Sequence, residues 1–201
     1  MGSDASVQTR VENILLEADR LALRVLAPAA RKSIVVLKSL YRGDKSEDEI
    51  LAECMMVYPG CKNLKPTILF LEKLGVVTRK PWKDGKYSLT DYGRSVAEAL
   101  FDIIKDVRSI VESALRGSMN VIDLYVQLVT PAMSMIEIAL GSRTKVELLL
   151  TLVIHAYISA LIASTLSILS REDPRFKSVL AEIEKMIVGE TGEQLDEFSD
   201  E

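Results

Sequence analysis

The chain has little of what catalysis and metal binding need. It holds one histidine, two cysteines and one tryptophan in 201 residues, and aromatics make up only 5%. One His and two Cys fall short of the four ligands of a structural zinc site. No nucleophile–base constellation, glycine-rich phosphate loop or paired-carboxylate motif occurs, so the chain reads as a non-enzyme without a cofactor. Asparagine and glutamine are scarce, three of each, and depletion of these thermolabile amides is one mark of thermophile chains. The first ten residues are polar and lack the apolar run of a signal peptide. Cytoplasmic placement follows as the expectation, with Cys54 and Cys61 as free thiols. A redox pair between these two cysteines is the alternative.

What is present is a core's worth of apolar residues, 48%, and an uneven charge distribution. Residues 61–94 carry eight bases (Lys62, Lys65, Lys73, Arg79, Lys80, Lys83, Lys86 and Arg94) against three acids, Glu72, Asp84 and Asp91. That is a net +5 in a chain of net −4, so the remainder carries −9. A local basic patch creates its own field whatever the total charge. Residues 190–201 hold six acids and no base and are expected to form a disordered acidic tail.

Hydrophobic periodicity predicts helices almost throughout. Val7, Val11, Ile14, Ala18, Ala22 and Val25 mark one face of a first helix, residues 1–27. Pro28 suits the first turn of the next helix, which runs to Tyr41. Ser46 and Glu49 have the spacing of a capping box for a third helix ending near Tyr58. Asn63 is the expected N-cap of a fourth, with Ile68, Leu71 and Leu74 inward and Gly75 in the left-handed C-terminal position. Val76 and Val77 then start a strand, Asp84-Gly85 forms a hairpin turn, and Thr90 caps a long helix towards Leu115. Thr144 caps another, to about Ser170, and Asp173-Pro174 opens a last one. Between these two, residues 120–140 read as a helix interrupted at Thr130-Pro131. The fold class is therefore mainly α. The domain reading is an N-terminal helix (1–27), a helix–hairpin unit with a long exit helix (28–117), an all-helical region (118–189) and the tail.

Leu71-Glu72-Lys73-Leu74-Gly75-Val76-Val77, followed by Gly85-Lys86-Tyr87-Ser88-Leu89-Thr90-Asp91-Tyr92-Gly93-Arg94, resembles the helix-and-wing signature of MarR-, ArsR- and PadR-type transcription regulators. The likeness covers roughly residues 28–98. It implies a winged helix-turn-helix domain with a two-stranded wing, flanked by N- and C-terminal helices that dimerise. It also implies double-stranded DNA as partner, with the helix from Asn63 in the major groove. Lys62, Asn63, Lys65 and Thr67 stand at the start of that helix, where base edges and phosphates lie in this motif class. Arg79, Lys80, Lys83 and Lys86 surround the wing as phosphate contacts, Trp82 lies against sugar or packs beneath the hairpin, and Arg94 completes the expected DNA-binding set. Leu69 and Phe70 depart from the polar residues usual on a groove-facing helix. They contact thymine methyls, or lie under another helix, or mark a face that docks a protein. The last case is the alternative reading, a protein-interaction or scaffold module.

Leu148 to Leu169 is a run of 22 residues without a formal charge, long enough to span a bilayer. A membrane-tethered regulator is therefore a further alternative. Thr151, His155 and Ser159 break the run at four-residue spacing and share one stripe, whereas Ala156, Ala160 and Ser164 form another. A helix buried in a bundle or dimer interface is the favoured expectation. The polar stripe is then either core or the edge of a small-molecule effector site.

Overall fold

The computed structural model describes residues 2–80, 85–120 and 144–174, together with 123, 124, 126–128, 130, 176 and 177, the side chains of 2–4, 145 and 146 excepted. Trp82, Lys83, the 190–201 tail, Pro131 of the expected Thr130-Pro131 break and most of the expected last helix lie outside these residues. The described chain is mainly helical, with one small antiparallel sheet.

Helix α1 is Gly2–Val25, α2 Pro28–Tyr41, α3 Glu47–Val57 and α4 Lys65–Lys73. Strands β1 (Val77–Lys80) and β2 (Lys86–Leu89) pair with Val77 opposite Leu89 and Lys80 opposite Lys86. Helix α5 is Asp91–Leu115 and α6 is Lys145–Glu172.

Local chemistry sets most boundaries. Pro28 opens α2, where its missing N–H costs nothing. Both halves of the Ser46–Glu49 capping box form at α3, and a second box, Thr144 with Glu147, opens α6. Thr90 accepts from the Gly93 N–H at the start of α5. Gly75 has φ +68° just past α4, a conformation that favours glycine.

Helix α2 is the centre of the core. Ile34, Val35, Val36, Leu37 and Leu40 are all buried. Val11, Ile14, Ala18 and Ala22 of α1 are buried on the face read from the sequence and Val7 is half-buried, whereas Val25, expected on the same face, is exposed at the last residue of the helix. Helix α1 lies along α6 in antiparallel sense: Arg10 pairs with Glu172 at one end, and Tyr157 donates to Asp19 further along. Arg31 ties α1 to α2 by donating to the carbonyls of Arg24 and Leu26, and its guanidinium stacks 4.3 Å from the Tyr58 ring centroid. Tyr41 stacks on Phe101 at 4.4 Å, joining α2 to α5.

Three local expectations need correction. Cys54 and Cys61 are not free thiols but a disulfide, both buried, joining the end of α3 to the segment before α4. The turn between them, closed by the Cys61 N–H donating to the Tyr58 carbonyl, brings the two Cα atoms to 5.9 Å. Asn63 is not the N-cap of α4; Leu64 holds that position. Asn63 instead adopts φ +52° and its side-chain oxygen accepts from the Lys65 N–H, a local turn that asparagine tolerates better than most residues. Thr67 is buried rather than displayed.

Candidate nucleic-acid interface

Helix α4 and its lead-in form one side of the site. Ile68 and Leu71 pack inward, with Thr67 beside them. The helix phase then leaves Lys65, Leu69 and Lys73 exposed on one line at four-residue spacing, with Pro66 and Phe70 flanking it. Lys62 and Asn63 are exposed just before it. Their carbonyls accept from the Lys32 ammonium at 2.7 and 3.0 Å, so α2 holds the lead-in in place. Lys62, Lys65 and Lys73 make no ion pair among the described residues. Lys32 and Lys73 are not among the ten residues expected at the interface. Lys73 is detectable from its spacing to Lys65 once the inward face is known, whereas Lys32 is a contact between segments with no local signal.

Leu69 and Phe70 are 47% and 37% exposed. Neither is therefore fully covered by another described helix. Phe70 also walls an apolar cleft of about 400 Å³ with Leu149 and Val153 of α6.

The hairpin forms the other side. Lys80 and Lys86 lie directly opposite each other, and like charges in that position are destabilising. Acids from the α2–α3 segment offset this. Asp44 pairs with Lys80 at 3.3 Å, and Glu49 lies 3.8 Å from Lys86. Next to them, Lys45 is paired with Glu53 and exchanges two backbone hydrogen bonds with Tyr87. That single bridge gives the hairpin a third edge, which no local pattern announces. The Glu49 carboxyl is held below its ordinary value by the Ser46 N–H and hydroxyl, with help from Lys86. For Glu53 burial pushes upward, but the hydrogen bond and charge of Lys45 and the charge of Arg42 outweigh it, and the net shift is downward. Burial raises the Tyr87 phenol, with the Arg79 charge opposing. Arg79 and Arg94 are exposed.

Comparison with protein-family models, with curated proteins and with solved structures found no match.

The ten residues expected at the interface thus divide. Lys62, Asn63, Lys65, Arg79 and Arg94 are exposed, Lys80 and Lys86 are half-buried and paired with acids, Thr67 is buried, and Trp82 and Lys83 fall outside the described residues. Among the described residues, two of the hairpin's three cations are paired with acids, Lys80 with Asp44 and Lys86 with Glu49, whereas the lysines of α4 and its lead-in are not. The Thr151–His155–Ser159 stripe lies on the half-buried flank of α6. Thr151 donates to the Glu147 carbonyl one turn earlier, and the His155 Nδ1 is buried with no partner among the described residues.

Proposed function

We propose that the chain is a winged-helix protein that binds double-stranded DNA as a homodimer, acting as a transcription regulator or architectural factor. The observation that carries the reading is the row of exposed cations Lys62, Lys65 and Lys73, without an ion pair among the described residues, on and before a short helix that leads into a hairpin. The order α2–α3–α4–β1–β2, with Lys45 bridging to Tyr87, supports the winged-helix assignment. The outer face of α6 supports the dimer. Leu149, Leu152, Ala156, Ala163 and Ser167 are exposed there, with no charge between Glu147 and Arg171. Helix α6 is long and apolar enough to cross a membrane by length and composition. However, its opposite face packs on α1 and the core, which favours a buried bundle helix over a span.

The test is a fluorescence-polarisation titration of the whole chain against labelled duplex DNA at several salt concentrations. Binding weakens with salt in proportion to the phosphates neutralised. The triple variant Lys62→Ala, Lys65→Ala, Lys73→Ala should lower the slope of log K against log salt by about one unit per lysine. Absence of binding at low salt would refute the reading.

The half-exposed Leu69 and Phe70 favour a second reading, a winged helix that docks a protein through α4. In that case Leu69→Ser with Phe70→Ser leaves the fold and any DNA binding intact and abolishes a protein complex.

A further inference from the structure

A cavity of about 570 Å³ opens between α1, α2, α5 and α6. This is within the range of small-molecule sites. Its walls are Leu15, Phe101, Ile104 and Leu161, with the half-exposed Leu16 at the mouth. Its floor is polar and already satisfied. The Lys38 ammonium donates to both oxygens of Asp19 at 2.7 and 2.8 Å, and the buried Tyr157 hydroxyl donates to Asp19 at 2.6 Å. Burial, with Asp19 beside it, holds the phenol well above its ordinary pKa, so it stays a donor. The floor's charges therefore cancel in place.

The rim is different. Arg108 is paired with Glu12 at 2.9 Å. That leaves Arg42 and Lys105. Arg42 is 61% exposed and only 3.9 Å from a Glu53 carboxylate that Lys45 already engages. Lys105 is exposed and makes no ion pair among the described residues. A chamber with apolar walls, and at its mouth Lys105 without an ion pair among the described residues and Arg42 held only by a 3.9 Å contact to a shared Glu53, selects for a molecule with an apolar body and an acidic end. The cleft beside Phe70 lacks such a pair: its described lining holds no charged side chain, so nothing in it orients a ligand.

We propose that this cavity binds an amphipathic organic anion, with its apolar body among Leu15, Phe101, Ile104 and Leu161 and its acid group at Arg42 and Lys105. This site is separate from the Thr151–His155–Ser159 stripe. Binding depends on both parts. Each methylene moved from water into the chamber strengthens binding severalfold, and the charge pair at the rim separates an acid from a neutral molecule of the same length.

The experiment is isothermal titration of the whole protein, without DNA, using octanoate, hexanoate and 1-octanol as probes. Its outcome is thus independent of whether the chain binds DNA. Octanoate should bind about tenfold or more tightly than hexanoate, from two methylenes, and at least tenfold more tightly than 1-octanol. Arg42→Ala with Lys105→Ala should bring octanoate down to the level of 1-octanol and leave 1-octanol unchanged. Ile104→Trp, which fills the chamber, should abolish both. If circular dichroism shows that variant to be unfolded, Leu16→Trp at the mouth takes its place. The proposal is overturned by any of three results: no octanoate binding at millimolar concentration, equal binding of acid and alcohol, or wild-type affinity in a folded chamber-filling variant.

Discussion

Replacing Gly93 with alanine sets two effects of opposite sign against each other. Gly93 lies in the first turn of α5, two residues into the helix. By helix propensity alone, Gly→Ala stabilises by about 1 kcal/mol. The surroundings argue otherwise. A Cβ on Gly93 would sit 1.9 Å from the Val76 carbonyl oxygen and 2.8 Å from its carbon, both backbone atoms. Relief needs a displacement of more than an ångström between α5 and the start of β1. The same Val76 oxygen accepts from the Thr90 N–H at 3.0 Å, and the Thr90 hydroxyl joins the Gly75 carbonyl (2.6 Å) to the Gly93 N–H (2.9 Å). A shift of that size therefore loosens an N-cap, about 1 kcal/mol, and a backbone hydrogen bond, about 1 kcal/mol. Residual overpacking adds about 1–3 kcal/mol. Less the propensity gain, the net is about 2–4 kcal/mol of destabilisation. For a chain of this size that lowers Tm by about 5–15 °C. Thermal and urea unfolding followed by far-ultraviolet circular dichroism measure it. Ser95→Ala, exposed in the next turn, is the control and should change stability by only a few tenths of a kcal/mol. If Gly93→Ala is as stable as the wild type or more so, the close approach of α5 to β1 is wrong, and with it the placement of the hairpin.

Two further outcomes follow from the segment between α3 and α4 and from the acids under the hairpin. The Cys54–Cys61 bridge spans a sequence separation of 7, and closing a loop that short constrains the unfolded chain by about 2.5 kcal/mol. Cys54→Ser with Cys61→Ser should lower stability by about that amount. Reductant should shift the wild-type melt and leave the double variant unchanged; identical melts of oxidised and reduced wild type would contradict the pairing. Glu53 has its folded pKa depressed, so its contribution is present above the ordinary value of 4.5 and is lost as the pH falls through and below it. Urea midpoints measured across that acid range should fall less steeply for Glu53→Gln than for the wild type, and parallel curves would remove Glu53 from the account.

What was legible in the sequence was local. The capping box at Ser46, the Thr90 and Thr144 caps and the left-handed Gly75 each depend on residues within one turn, and each is found where the spacing put it. Asn63 shows the ambiguity of such signals: the same side chain serves an N-cap or a turn with positive φ, and in the turn found here Lys32 holds the loop from another helix. Thr67 was readable as an inward residue, because it lies one turn before Leu71. The disulfide ran against the compositional expectation of free thiols, although the intervening Pro59-Gly60 turn is what brings the cysteines together. The least legible feature was electrostatic. Counting charges over residues 61–94 makes the hairpin lysines a patch, but Asp44 and Glu49 come from outside that window and pair with Lys80 and Lys86.

This redistribution bears on what kind of DNA recognition the proposal implies. Base edges are read chiefly by side chains that can both orient and discriminate, such as arginine to guanine or asparagine and glutamine to adenine. The exposed line of α4 offers Lys65, Leu69 and Lys73. Two ammoniums are point charges suited to phosphates, and a leucine distinguishes little beyond a thymine methyl. Asn63 is exposed, but its side-chain oxygen is occupied by the Lys65 N–H, so it cannot make the two-bond contact to adenine without giving up its turn. A helix of this composition contributes affinity more than sequence selection. Within the proposal, architectural or weakly selective binding is therefore favoured over reading by α4 alone, and any sequence preference has to come from Arg79, Arg94 or the segment around Trp82. A competition titration between unrelated duplexes of equal length decides the point: closely similar affinities follow from an α4 that contacts phosphates, and a preference of a thousandfold would require base readers that α4 does not display.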